Sequence, residues 1–277
     1  MITLGLVGFP VSHSYSPKLQ NGALRALGIE GEYKLFPANP ENPIELEKII
    51  ELLRRKDISG LNVTIPHKQT VIKFVDRLTD SAVKIGAVNT LYLSDTELVG
   101  DNTDWSGFYA DLSKCLLGNL ANRKALVIGS GGSSRAIIYS LLENNWKIYV
   151  TSRNFQKVKE LCIYFNHLIE QERVFMIEND HIPEILNLCS IMVNTTPVGM
   201  VPDVDCSPIQ LDLIRNKELL VYDLIYNPRE TLLLNQARAN GLGTRNGLGM
   251  LVEQAALSFE IWTGRPAPRD VMFRLMA

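Results

Sequence analysis

The sequence predicts an α/β protein of two units, an N-terminal one built on a mixed sheet and a second one built on a parallel sheet. Three observations predict it. Short apolar runs ending on glycine or proline alternate with helical periodicities along the chain. In the second half each strand candidate is followed by a helix long enough for a crossover, which implies parallel strands. In the first hundred residues Ala87–Leu93 and Leu98–Gly100 flank a turn at Ser94–Thr96, a strand pair that makes the first sheet mixed. A length of 277 residues exceeds the usual domain of about 100–200 residues and suits two medium units.

Taken in order, Ile2–Val7 reads as a strand closed by Gly8. Ser16-Pro17 opens a helix, with Ser16 as N-cap and Pro17 at the first helical position, and Gly28 ends it. Glu32–Pro37 is a strand. Ile44–Leu53 repeats apolar residues at helical spacing, and Gly60–Thr64 is a strand stopped by Pro66. A helical stretch after Asp104 marks the junction, and the second unit begins near Asn122. Strands then follow at Lys124–Ile128, Lys147–Val150, Ile191–Asn194 and Val221–Leu224, with a helix over Ser133–Leu142. Gly247–Trp262 is a long helix carrying Leu248, Leu251, Ala255, Phe259 and Trp262 near one face.

Composition removes several function classes. Thirty acidic residues against 28 basic leave a net charge of −2, so the chain lacks the basic excess of a general nucleic-acid binder. With 46% hydrophobic and 21% charged residues it is globular in type rather than disordered. Cys115, Cys162, Cys189 and Cys206 form no C-x-x-C pair and no zinc spacing, so free thiols and no metal site are expected. The start MITLGLVGFP lacks the features of a signal peptide, and no apolar run reaches the ~18–20 residues of a membrane span. A cytoplasmic protein without membrane or nucleic-acid partners is expected.

The segment after Lys124–Ile128 is Gly129-Ser130-Gly131-Gly132-Ser133-Ser134-Arg135-Ala136. A strand feeding a glycine turn that opens a helix binds phosphate, because helix N-termini present unpaired N–H groups and partial positive charge. Glycines let the backbone turn tightly and approach a pyrophosphate. Ser134 takes the usual third-glycine position. The end of the next strand discriminates between nicotinamide dinucleotides. NAD sites typically place an acid there for the ribose 2′-hydroxyl. Here stand Thr151-Ser152-Arg153-Asn154, with Lys157 behind. A guanidinium fork matches phosphate oxygens, so Ser152, Arg153, Asn154 and Lys157 predict a clamp for a 2′-phosphate and thus NADP.

Polar residues gather where strands of the first unit should end. They lie in Ser12–Pro17, Asn62–Lys68, Gly86–Thr90 and Gly100–Asp104. Ligands in open α/β sheets bind beyond strand ends, and this mixture of hydroxyls, amides, a lysine and an aspartate suits a small polyhydroxylated molecule. Ser14 and Ser16 also suit turn and cap roles, and Asn62 and Asn89 loop bracing. His13 and His67 have no visible partner and read as structural. The pattern alone does not choose between Asp101 and Asp104.

These segments together resemble the shikimate dehydrogenase family. The resemblance rests on Gly8…Ser12-His13-Ser14-Tyr15-Ser16-Pro17, Asn62-Val63-Thr64-Ile65-Pro66-His67-Lys68, Ile85–Thr90, and Gly100-Asp101-Asn102-Thr103-Asp104-Trp105-Ser106-Gly107. It continues through Gly129–Ala136, Asn194-Thr195-Thr196-Pro197-Val198-Gly199-Met200, Asp223–Pro228 and Asn246–Ala255, in family order over nearly the whole chain. It implies NADPH-dependent reduction of 3-dehydroshikimate to shikimate, toward chorismate and the aromatic amino acids. It implies a substrate-binding domain over residues 1–104 plus 247–277 and a Rossmann-like NADP-binding domain over 105–246, with the site in the cleft between them. Lys68 and Asp104 match the catalytic pair. Ser14, Ser16, Thr64, Asn89, Tyr226 and Gln254 match substrate contacts, and Asn62 stands with them. Gly129, Ser130, Gly131, Gly132, Ser133, Ser152, Arg153, Asn154, Lys157, Leu224 and Gly247 match cofactor contacts, joined by Thr195 and, as a weaker match, Asp80.

The chain departs from the family pattern at Gln20, where histidine is frequent, and at Ser133, where alanine is common. Relatives that favour quinate tend to replace the second serine of the Ser14-Tyr15-Ser16 pattern, so this chain leans to shikimate, with a quinate/shikimate dehydrogenase of broader specificity as the alternative. A non-catalytic NADP-binding regulator on the same scaffold would be expected to lack the lysine or the aspartate, and both stand here. A monomer or a homodimer is expected.

Overall fold

The computed structural model describes residues 1–116, 123–211 and 214–276, and the expected start of the second unit near Asn122 lies outside the described residues. The chain divides into a first unit, Met1–Gly107 with Leu251–Ala277, and a second, Phe108–Met250. The first unit runs β1 (Ile2–Gly8), α1 (Ser16–Ala26), β2 (Gly31–Pro37), α2 (Pro43–Arg54), β3 (Gly60–Val63), β4 (Arg77–Leu78), α3 (Asp80–Ile85), β5 (Thr90–Ser94) and β6 (Glu97–Asp101). The strands lie in the order β2-β1-β3-β5-β6-β4. β1 is parallel to β2 and β3, β5 is antiparallel to β3 and β6, and β4 is parallel to β6, so the sheet is mixed.

That pairing sets where the site can form. With β5 reversed between β3 and β6, the ends of β1, β3 and β6 and the beginning of β5 fall on one edge of the sheet. Register places Val7 opposite Val63, Asn62 opposite Thr90 and Thr90 opposite Asp101. The ladder continues past the strands, Thr64 N donating to Val7 O (2.9 Å), Val63 N to Asn89 O (2.8 Å) and Asn89 N to Asp101 O (3.0 Å). All four polar loops are thereby held side by side. One face of α2 buries Leu46, Ile49, Ile50 and Leu53 with Leu61, Val63 and Leu91 of the sheet.

The second unit takes up α4 (Asp104–Cys115), which contains the break between the units. It continues with β7 (Lys124–Ile128), α5 (Gly132–Glu143), β8 (Lys147–Thr151), α6 (Phe155–Leu168), β9 (Val174–Met176), α7 (Ile182–Leu186), β10 (Ile191–Asn194), β11 (Leu220–Asp223), α8 (Leu232–Ala239) and β12 (Gly243–Asn246). Its strands lie in the order β12-β11-β10-β7-β8-β9, every pair parallel. The order reverses between β7 and β10, the place where doubly wound sheets bind ligands beyond their carboxyl ends. Leu126, Ile128, Met192, Val221, Leu233, Leu234 and Ala237 form a core on this sheet. The chain closes with α9 (Leu248–Thr263), which holds the second break, and α10 (Arg269–Met276). No helix among the described residues is long and apolar enough to cross a membrane.

Several sequence expectations are corrected. Ser16 is the first residue of α1 and Tyr15 the cap, because Tyr15 is already curled at φ −85° and ψ −5°; the capping oxygen is instead Ser14 Oγ, which accepts from Ser16 N at 3.2 Å. The strand expected from Ala87 begins at Thr90, because Val88 N donates outside the ladder, to Lys68 O at 2.7 Å. β4, β9 and β12 carry no usable pattern, and α3, not expected from the sequence, is bounded by Thr79, whose side chain accepts from Ala82 N, and by Gly86 at φ +66°. β4 and β9 are too short, and Gly243-Thr244-Arg245-Asn246 has no apolar alternation. Cys162 and Cys189 are buried, Cys115 half-buried and Cys206 exposed; all four are free thiols, and burial pushes Cys162 up to about 11 and Cys189 to about 12.

Candidate active site

In the first unit Lys68 lies just past β3 and Asp104 at the start of α4. Lys68 Nζ donates to Asp104 Oδ2 at 2.6 Å, with side chains only 12% and 5% exposed. The carboxylate is held on its other side, where Asn89 Nδ2 donates to Oδ1 at 2.9 Å. The Asp104 amide donates to Asn102 Oδ1 (3.0 Å), so the loop before α4 also braces the residue. Asn89 Oδ1 accepts from Thr103 N (2.7 Å), and Asn89 Nδ2 also reaches Thr103 Oγ1 (2.9 Å) and Gln254 Oε1 (3.3 Å). Lys68, Asn89, Asp104 and Gln254, scattered in sequence, are one hydrogen-bonded group.

Asp101, the competing carboxylate, is absorbed elsewhere. Its Oδ1 accepts from Thr79 Oγ1 (2.6 Å), Ser81 Oγ (3.3 Å) and Asn102 N (2.7 Å), which ties the start of α3 to the end of β6. Asn62 is brought to the same network from its buried side. Its Nδ2 donates to Asn89 O (3.1 Å) and Ser258 Oγ (3.0 Å), and its Oδ1 accepts from Tyr33 OH (2.8 Å). Those contacts leave it little capacity for a ligand. Ser14 is half-buried and Ser16 buried, both in the β1–α1 loop region, and half-buried Thr64 follows β3. A Cβ on Gly8 would overlap the Thr64 methyl, so glycine there lets these two loops meet. His67 is buried with its Nε2 2.7 Å from Ala38 O, a bracing role, and His13 is exposed.

In the second unit the glycine loop leaves β7 at the reversal of strand order. Gly129 has φ +123°, and a Cβ there would overlap the Thr195 hydroxyl, so the fold itself requires this glycine. Gly131 differs. Its φ is −88°, and no heavy atom lies within 4 Å of where a Cβ would stand. Among the described residues nothing demands glycine at that exposed position, and a glycine there leaves room for close approach of a pyrophosphate. Gly132 and Ser133 form the first turn of α5. Ser134, at the third-glycine position, accepts from Gly131 N (3.1 Å) and lies 2.6 Å from Thr195 Oγ1, which in turn donates to Ile128 O (2.7 Å). The serine is accommodated because its hydroxyl joins the loop to β10.

At the end of β8, Ser152 Oγ lies 3.2 Å from Ser130 Oγ, bringing this loop to the glycine loop. Asn154 caps α6, its Oδ1 accepting from Lys157 N at 3.0 Å. Arg153 and Lys157 are exposed, and among the described residues neither forms an ion pair. No carboxylate occupies the strand end. This donor set fits a 2′-phosphate and offers a ribose 2′-hydroxyl no acidic partner. Leu224 and Gly247 touch one another, since a Cβ on Gly247 would overlap Leu224 O. Tyr226 is half-buried in this second unit, and Asp80 is exposed at the first turn of α3 in the first unit.

Sequence reasoning missed Thr90, Thr103 and Ser258 as members of the Lys68–Asp104 network. Ser258 lies 2.9 Å from Thr90 Oγ1 and 3.2 Å from Thr103 Oγ1, and it donates to Gln254 O at 3.1 Å. A signal was present, for Ser258 sits one helical turn after Gln254, on the same face of the helix.

Comparison with known proteins bears on this geometry. The family model for the shikimate dehydrogenase substrate binding domain matches residues 6–91, that for shikimate/quinate 5-dehydrogenase matches 111–230, and that for the shikimate 5′-dehydrogenase C-terminal domain matches 247–274. The chain is similar to the shikimate dehydrogenase (NADP(+)) of Methanococcus maripaludis, 42% identical over 270 residues, 97% of this chain and 94% of the relative. It is similar to the solved structure of shikimate 5-dehydrogenase from Thermus thermophilus in complex with NADP(H) and shikimate, with a TM-score of 0.87, 32% identity, and coverage of 100% of this chain and 98% of that one. It is also similar to quinate dehydrogenase from Corynebacterium glutamicum in complex with NAD, with a TM-score of 0.89, 27% identity, and coverage of 99% and 98%.

Proposed function

The chain belongs to the shikimate dehydrogenase family, and from that premise we propose that it catalyses the reversible NADPH-dependent reduction of 3-dehydroshikimate to shikimate, a step of chorismate and aromatic amino acid biosynthesis. The observation that carries the residue assignment is the 2.6 Å contact between Lys68 Nζ and Asp104 Oδ2. Bound NADPH supplies the hydride. The ring carbonyl carbon accepts it, and negative charge grows on the oxygen. The Lys68 ammonium lies against that oxygen, stabilises the charge and donates the proton, completing the alcohol. Asp104 orients the ammonium and accepts from a substrate hydroxyl. In the reverse direction Lys68 takes the hydroxyl proton.

Ser14, Ser16, Thr64, Asn89, Tyr226 and Gln254 bind the substrate, the two serine hydroxyls taking its carboxylate. Asn62 acts with them from the buried side, through its bond to the Asn89 carbonyl. Gly129–Ser133 cradle the pyrophosphate, with Thr195, Leu224 and Gly247 lining the same site. Ser152, Arg153, Asn154 and Lys157 hold the 2′-phosphate, a role supported by the Arg153 guanidinium, which forms no ion pair among the described residues, and by a strand end without an acid. Asp80, exposed in the first turn of α3, joins the cofactor set through the family resemblance. Residues 1–104 plus 247–277 serve as the substrate domain and 105–246 as the cofactor domain. A cytoplasmic monomer or homodimer completes the proposal.

The test is initial-rate oxidation of shikimate and of quinate, each with NADP+ and with NAD+. The highest kcat/KM is expected for shikimate with NADP+. Equal efficiency on quinate moves the chain to the broader quinate/shikimate class, and equal efficiency with NAD+ removes the role given to Arg153.

A further inference from the structure

Asn194 and Asp223 are fully buried at the carboxyl ends of β10 and β11, directly paired in register. Asn194 Nδ2 donates to Asp223 Oδ1 at 2.9 Å. Each then holds the loop that follows its own strand. Asn194 Oδ1 accepts from Thr196 N (3.0 Å) and Thr196 Oγ1 (2.8 Å). Asp223 Oδ1 also accepts from Ile225 N (3.1 Å), and Oδ2 accepts from Thr231 Oγ1 (2.7 Å). The loops so held carry Thr195 on one side and Leu224 and Tyr226 on the other. Thr195 packs on Gly129, and the Leu224 carbonyl packs on Gly247.

We propose that Asp223, acting through Asn194 and Thr231, is a positioning residue whose ionised carboxylate holds the Thr195–Thr196 and Leu224–Tyr226 loops in the form that binds the dinucleotide. The inference rests on the cofactor reading above. Ionised, the carboxylate accepts three hydrogen bonds and needs no donor of its own. Protonated, one oxygen becomes a donor facing Thr231 Oγ1, which already donates to it and accepts from Leu234 N at 3.3 Å. The Asp223–Thr231 bond then reverses, and the Thr231 hydroxyl proton loses the acceptor it had.

Burial is the main influence on Asp223 and pushes it up to about 6, against the lowering effect of its bonds from Thr231, Ile225 N and Asn194. No charged side chain contributes to the shift. The strand neighbours in register are Asn194 on β10 and Asn246 on β12, both neutral. Tyr222 and Arg245 engage Asp111, Glu230 pairs with Arg238, and Arg229 is exposed; Tyr226 is the remaining titratable group of the loop. The change in state thus belongs to Asp223 itself and falls within a physiological range of pH.

The experiment is calorimetric measurement of the NADP+ dissociation constant from pH 5 to 8 for the full-length wild type and for Asp223→Asn, Thr231→Val and Thr231→Ser. The 2′-phosphate titrates in the same window, with a second pKa of about 6. It is common to all four proteins and cancels in ratios. The ratio of wild-type to Asp223→Asn Kd is expected to rise toward the one-proton limit of about tenfold from pH 7 to pH 5. Thr231→Val removes a donor that favours the carboxylate, so its acid limb should move to higher pH, and Thr231→Ser should restore the wild-type limb. A pH-independent ratio, or identical limbs in Thr231→Val and Thr231→Ser, overturns the proposal; the latter pair decides it even when Asp223→Asn does not fold. Failure of wild type to bind NADP+ at any pH overturns the cofactor reading, and this proposal with it.

Discussion

Lys68 and Asp104, 36 residues apart in sequence, meet at 2.6 Å with Lys68 Nζ donating to Asp104 Oδ2. The antiparallel insertion of β5 is what makes this possible, because it returns β6 to the edge where β3 ends. The pair is braced on both sides, with Asn89 on the second carboxylate oxygen and Asn102 beneath the Asp104 amide. Under the proposed function, a lysine held this way would reach the reacting oxygen without reorganising, as a fixed charge that lowers a barrier does.

Lys68→Ala is therefore predicted to lower kcat by ~10²–10⁴-fold, the usual contribution of a positioned acid or base, with little change in shikimate KM. Asp104→Asn should lower kcat and raise KM together, since it loses both the orientation of Lys68 and an acceptor for substrate. Steady-state kinetics with each variant check this, and an unaltered kcat in Lys68→Ala removes that residue from the chemistry.

The two loop glycines should separate. Gly131→Ala adds a methyl in open space at an ordinary φ, so folding should be neutral or more stable by about 0.4–1 kcal/mol while NADP+ binding weakens at least tenfold. Gly129→Ala meets Thr195 at φ +123° and should destabilise the protein itself. Thermal denaturation beside NADP+ titration tests both, and normal cofactor affinity in Gly131→Ala sinks the cradle.

Arg153→Ala should cut the preference for NADP+ over NAD+ by one to two orders of magnitude, consistent with about 1.5–3 kcal/mol for hydrogen bonds to a charged group. The loss should appear in the KM for NADP+, with NAD+ little affected. An unchanged ratio of kcat/KM between the two cofactors assigns the 2′-phosphate to another residue.

Asp223 also makes a prediction about stability. Its folded value of about 6 lies above the ordinary 3.8, so the folded state holds the proton more tightly than the unfolded chain. Its contribution, on the order of 3 kcal/mol, is fully present below about pH 4 and is lost as pH rises through 6. Asp76 acts oppositely. The hydrogen bond from Arg54 holds it down to about 2, so its contribution is lost only as pH falls below 4. Between pH 4 and 6.5 the difference in melting temperature between wild type and Asp223→Asn should thus change with pH, wild type gaining on the acid side. A flat difference refutes the burial argument.

What the sequence by itself determined is what depends on contiguous residues. The alternation of strands and helices, the glycine turn opening a helix and the cluster around Arg153 are local because a strand end and a helix N-terminus recognise phosphate within a few residues of chain. Residue pattern alone left open which carboxylate faces Lys68; the family resemblance matched Asp104, and the tertiary structure shows the contact. Asp101 and Asp104 look alike in sequence, yet Thr79, Ser81 and the Asn102 amide absorb the first. The same is true of Asn62, turned inward to Tyr33 and Ser258, and of Gln254, which reaches Asn89 from α9. These contacts join side chains as far as 196 residues apart. They form because buried polar groups must find partners, and the partners available depend on which loops the sheet pairing and the returning helix bring to one place.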